Sequence, residues 1–191
     1  ATEKVDKTLV AILGAAAIGL MVSLLYHRDS IQYQGTIVES VAASLSATVD
    51  PEKLRAIAAT AARDEYWHTL RDSMQNAVDS SGLTDLCILS RGNEGAVDSF
   101  RFLLAVARPG DPGLPFGYSE PTAIFPPAAL RTYESGEKSF SDIHFTEEHG
   151  YLLSSYAAMR DANDTVVAML SATLAAGGAM ARSRDFRNAI T

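Results

Sequence analysis

The densest group of side chains able to do chemistry is Asp142, His144, Glu147, Glu148 and His149. Two imidazoles and three carboxylates so close together are a donor set for zinc or another divalent ion. Glu147 and Glu148 are adjacent in a turn and point in different directions. The cluster therefore reads first as a solvated acidic turn and only second as the metal site of a membrane-anchored hydrolase built on His144 and His149. Ser154-Ser155 has no histidine near it in sequence, and a hydroxyl without a base is not a nucleophile. The chain also lacks a phosphate loop, a G-x-S-x-G elbow, an HExxH helix and a Gly-rich dinucleotide turn. The expectation is a protein without catalytic residues, metal or cofactor.

A second constellation suits binding. Phe116 and Tyr118 lie on a Pro- and Gly-rich stretch, Tyr133 ends a short helix, and Arg101, Ser154, Tyr156, Ser171 and Thr173 fall on strand-like segments. Aromatic walls with a few polar groups are what small-ligand pockets are made of. Strand alternation puts Ser154 and Tyr156 on one face and Tyr151 and Ser155 on the other. In the last strand Val166, Ala168, Leu170, Ala172 and Leu174 are uniformly apolar and must pack on helices. The Ser171/Thr173 face is left to meet a ligand. Arg101 is the one cation inside a strand candidate, where it either clamps a carboxylate bidentately or points outward from an edge.

The elements that position these residues come in two blocks. Ile37, Val38, Val41, Ala42, Leu45 and Val49 recur at helix spacing between Ile31 and Val49. Asp50-Pro51-Glu52 restarts a helix with a capping carboxylate, a proline at the first position and an acid at the positive end of the dipole. Asp64 starts another, whose Trp67, Leu70, Met74 and Val78 form a face before Gly82 stops it. After Gly82 the period becomes that of strands. Asp85–Arg91, Ser99–Ala107, Ser139–Phe145, Tyr151–Arg160 and Thr165–Leu174 predict a five-stranded antiparallel sheet, with a short helix at Ala128–Ser135. The loop Arg108–Pro127 separates the second and third strands, and a loop of that length usually carries function.

The 191 residues carry a net charge of −7, unevenly: residues 28–82 hold −3, 83–175 hold −6, and 176–191 hold +2. An acidic body excludes a nucleic-acid groove, which needs a basic face. The single Cys87 excludes a disulfide framework. Thr8–Tyr26 is free of charge and, as a helix, spans roughly 28 Å, close to the hydrocarbon core of a bilayer. It predicts a membrane partner through residues 8–26. Lys4 and Lys7 before it favour a cytoplasmic N-terminus. The expected organisation is a cytoplasmic N-terminus and span at 1–27, membrane-proximal helices at 28–82, a sheet domain at 83–175 and a tail at 176–191.

Residues 28 to 174 resemble a Cache domain, the PAS-like extracytoplasmic sensor module of bacterial transmembrane receptors. The likeness rests on Pro109-Gly110 leading into the loop, on the helix closed by Ser135-Gly136-Glu137, and on the run from Glu147 through Gly150-Tyr151 to Tyr156-Ala157. The hairpin Arg160–Asp164 followed by Val166–Leu170 completes it. The resemblance implies an α+β fold, a transmembrane helix and long helices followed by the five-stranded PAS-like sheet of a single Cache unit. It also implies a small-molecule ligand, a homodimer through the N-terminal helices, and a sensor in the periplasm or outside the cell, anchored in the inner membrane. A module without ligand, serving dimerisation alone, is the rival. His149 replaces a family Trp, Ala158 a Pro and Asp164 a hairpin Gly. Thr173 replaces the acid that holds a ligand amine in amino-acid-binding members, which leaves a carboxylate, a polyol, a nucleobase or another neutral ligand.

Overall fold

The structure, a computed structural model, describes residues 31–94, 97–111, 113–147 and 149–176. The expected span Thr8–Tyr26 lies outside the described residues, as does the tail from 177 onward. Among the described residues no helix is long and apolar enough to cross a membrane.

Three helices come first: α1 (31–46), α2 (Pro51–Thr60) and α3 (Glu65–Ser81). Their starts are chemical. The Asp50 side chain accepts from the Glu52 and Lys53 amides, and Asp64 accepts from that of Trp67, in each case satisfying donors with no partner inside the helix. Seven strands follow: β1 (Asp85–Glu94), β2 (Val97–Ala107), β3 (Ser119–Pro121), β4 (Ser139–Phe140), β5 (His144–Thr146), β6 (Gly150–Arg160) and β7 (Val166–Ala175). A 3-10 turn (Thr122–Ile124) and helix α4 (Pro127–Ser135) lie between β3 and β4. The sheet is antiparallel throughout, in the order β3-β2-β1-β7-β6-β4, with β5 also on β6.

The α+β class stands, but among the described residues the sheet has seven strands rather than five. The long loop contributes β3, which pairs with β2 through Ser99–Arg101. The expected strand Ser139–Phe145 is two short ones. Between them the Ser141 hydroxyl takes the Ser154 amide at 3.0 Å in place of a main-chain carbonyl, so the regular ladder lapses.

One face of the sheet is mainly apolar and carries α1, α2 and α3. Val38 and Ala42, Leu54 and Ile57, and Trp67 to Val78 pack on Leu86, Ile88, Leu170 and Ala172. Helix α1 comes close to β4 because position 35 is glycine: a Cβ there would stand 2.9 Å from the Phe140 ring. A bulge in β2 leaves Leu103 without a partner on β1, since Ile88 pairs with Leu104 and Leu89 with Phe102. The freed Leu103 carbonyl is taken by the Trp67 indole N–H at 3.0 Å, which locks α3 to the sheet.

The opposite face carries α4. Ala128, Ala129, Phe125 and Tyr133 pack there on Phe100, Phe102, Tyr156 and Met169. The Ser139 hydroxyl donates to the Ala128 carbonyl at 3.0 Å and lies 2.7 Å from the Thr132 hydroxyl, holding α4 beside β4.

Candidate functional site

The α4 face is only partly filled. Between the sheet, the 108–127 loop and the β5–β6 turn is a cavity of about 660 Å³, within the size range of small-ligand sites. Its floor is set by register. Asp85 on β1 stands opposite Thr173 on β7, and Thr173 opposite Ser154 on β6. One row along, Cys87 stands opposite Ser171 and Ser171 opposite Tyr156. Because side chains alternate along each strand, both rows point into the cavity. The result is a polar floor on one face of a sheet whose other face is mainly hydrocarbon.

The floor is hydrogen-bonded from strand to strand. Thr173 bonds the Asp85 carboxylate, and its hydroxyl lies 3.3 Å from that of Ser154. Tyr156, 2% exposed, is bonded to Ser154 and Ser171, and burial holds its phenol far above the ordinary range. Burial likewise pushes the Cys87 thiol well up, with the Asp85 carboxylate adding to it. Asp85 lies deep in the fold yet touches the cavity, so its carboxyl is only partly covered. Desolvation raises it to about 6, against the lowering pull of Thr173, His149 and Cys87.

The loop forms the roof and is fixed at its base. Arg108 donates from Nε to the Leu83 carbonyl at 2.8 Å and from Nη2 to that of Gly82. Asp111, Leu114, Glu120 and Phe125 from this stretch line the cavity. His144, Glu147 and His149 line it from the β5–β6 side, with His149 Nδ1 3.9 Å from the Asp111 carboxylate. Three members of the expected acidic turn, His144, Glu147 and His149, are thus part of the cavity wall. Among the described residues no three His, Cys, Asp or Glu side chains converge on a metal position.

Of the eight residues expected at a site, the structure brings four together at the cavity: Ser154, Tyr156, Ser171 and Thr173. The other four lie elsewhere. Arg101 belongs to the helix-covered face, where with Arg55 and Arg91 it lines a separate shallow groove, its guanidinium 5.9 Å from the Phe116 ring. Phe116 packs against the helix-side core. Tyr118 lies outside the lining but donates to Glu120 at 3.2 Å while its ring leans on Phe102. Tyr133 packs on Phe100 and accepts from the Arg91 amide at 3.4 Å. Sequence reasoning missed Asp85, Cys87, Asp111 and Glu120. The available signal was Asp85 itself, a charge that shares a strand face with Cys87 and Leu89.

No family model and no curated protein matches the sequence. Solved structures do. The chain matches the ligand-binding domain of the Campylobacter jejuni chemoreceptor Tlp3, solved with L-valine, with a TM-score of 0.56 and 8% identity. That match covers 93% of this chain and 66% of the other, so the chain spans just under two thirds of that domain. The ligand-binding domain of the Pseudomonas aeruginosa amino acid chemoreceptor PctC, solved with GABA, matches with a TM-score of 0.45 and 15% identity, over 87% of this chain and 62% of the other. The likeness to Tlp3 shows a shared fold, as the resemblance in the sequence implied.

Proposed function

We propose that this chain is the extracytoplasmic sensing domain of a transmembrane signal-transduction receptor, which binds a small molecule in the cavity on the α4 face. The observation that carries this reading is the polar floor: Asp85, Thr173, Ser154, Ser171 and Tyr156 converge on one open space of about 660 Å³. The valine-bound Tlp3 domain, which shares the fold, adds support. Receptor of chemoreceptor, kinase or cyclase type, the output is reached through the helices on the opposite face. A ligand that prefers one packing of β1, β7 and the helices behind them shifts the equilibrium between packings. Helix α1 follows the apolar segment Thr8–Tyr26 closely in sequence, so a small helix shift is the natural signal to send toward a membrane. Tyr33 and Ile37 are exposed on α1, at 70% and 46%, and suit pairing with a second copy.

A thermal-shift screen of the purified chain against small metabolites tests the reading. A true ligand at about a hundred times its dissociation constant adds ~2.7 kcal/mol, a rise of roughly 5–10 °C for a chain of this size. Ser154→Trp, which fills the cavity from its floor, should abolish the rise. Silence from every compound would leave the dimerisation module as the better reading.

A further inference from the structure

We infer that the cavity selects a small organic cation without a carboxylate, an ammonium group on a compact apolar body; this rests on the reading of the cavity as a ligand site. Four carboxylates line it, Asp85, Asp111, Glu120 and Glu147, against two imidazoles, His144 and His149, and no lysine or arginine does among the described residues. Arg91 and Arg101 line the separate groove, and Arg108 at the base of the roof is taken by the Leu83 and Gly82 carbonyls. A carboxylate ligand would meet like charge from floor and rim, with no guanidinium fork to hold it.

The floor adds a position to the charge. Asp85 is hydrogen-bonded by a hydroxyl and a thiol, Thr173 and Cys87, both neutral groups. A carboxylate so placed works against folding and is best matched by a positive charge arriving from the cavity. The remaining lining suits the body of such an ion. Phe102, Phe125 and Tyr156 offer aromatic surface to an ammonium group, and Leu89 and Leu152 offer apolar contact. The hydroxyls of Ser154, Ser171 and Thr173 can accept hydrogen bonds from its N–H groups.

The test is isothermal titration and thermal shift on the full chain with four matched probes. Isobutylamine is the cation, L-valine the zwitterion, isovalerate the anion and isoamyl alcohol the neutral compound; phenethylamine and choline extend the cation arm. The expected result is saturable binding of at least one cation, at least tenfold tighter than any other class. Asp85→Asn should weaken that binding at least tenfold. Asp85→Asn/Thr173→Asp should restore it in part, because the register puts the new carboxylate directly beside the lost one. Binding of valine, isovalerate or the alcohol in preference, blocked by Ser154→Trp, would overturn the inference and leave the sensing reading standing. Cation binding indifferent to both Asp85→Asn and Ser154→Trp would place it outside the cavity and overturn the inference too. Silence from all six probes would overturn the inference, whereas the sensing reading falls only if the wider metabolite screen is also silent.

Discussion

Asp85 and Thr173 are cross-strand partners joined by a hydrogen bond at the bottom of the cavity. The acid that the resemblance places on the last strand is absent there, yet a carboxylate stands at the adjacent position on β1. The expectation of a carboxylate, a polyol, a nucleobase or another neutral ligand is drawn from Thr173 alone, and the inferred cation rests instead on this pairing between distant parts of the chain. What matters to a ligand is the charge in the space, whichever strand supplies it.

Asp85 should make the fold less stable as pH rises. Its carboxyl is raised from 3.8 to about 6, so between those values the native state binds more protons than the unfolded chain. The penalty is absent below pH 4, grows through pH 6 and is complete above it, reaching about 3 kcal/mol. Asp85→Asn should thus stabilise the protein by up to about that amount at pH 7 and by little at pH 4. Urea midpoints at both pH values, compared between the two proteins, check it. An equal difference at both would mean that Asp85 is not the titrating group.

Trp67→Phe should destabilise the protein by about 1–3 kcal/mol, because it strips the Leu103 carbonyl of its one side-chain donor inside the core. Trp67 is the only tryptophan, so the unfolding curve must be followed by circular dichroism. A loss below about half a kcal/mol would mean that water or a shifted strand satisfies the carbonyl.

The helical block was legible because its signals are local. Asp50-Pro51, Asp64 and Gly82 mark helix ends by chemistry that acts within one turn. The face of β7 was legible too, since five apolar residues alternating with Ser171 and Thr173 admit one orientation. What could not be read depends on partners distant in sequence. Strand β3 is three residues long and exists because β2 offers it an edge. Arg101 and Phe102 point to opposite faces, but which face holds the cavity follows from α4 and the loop settling there, not from β2 itself. Asp85 looked like an ordinary strand start until Thr173 was brought beside it.

Ala61→Gly should raise stability by about 0.5–1 kcal/mol. Ala61 ends α2 with φ at 56° and its amide on the Ile57 carbonyl at 2.9 Å, a left-handed cap that burdens any residue with a Cβ. The position is exposed, so no packing is lost. Chemical denaturation gives the number, and an unchanged midpoint would show that the extra freedom of glycine in the unfolded chain cancels the relief.

Binding of an organic cation should release protons near pH 6 and few above pH 7.5. The cation favours the ionised form of Asp85, so it lowers the carboxyl from its raised value and expels the proton held there. With the group half protonated at about pH 6, the release approaches about half a proton per ligand, and affinity climbs from pH 5 to pH 7 before levelling. Calorimetry of the same ligand in buffers of different ionisation enthalpy measures the release directly. His149 faces the same carboxylate, as do Cys87 beside it and Asp111 from the loop. The decisive comparison is therefore the difference between the parent protein and Asp85→Asn. If the release persists in Asp85→Asn, the proton comes from the mouth of the cavity rather than its floor. If it vanishes, one carboxylate both holds the ligand and ties its binding to pH.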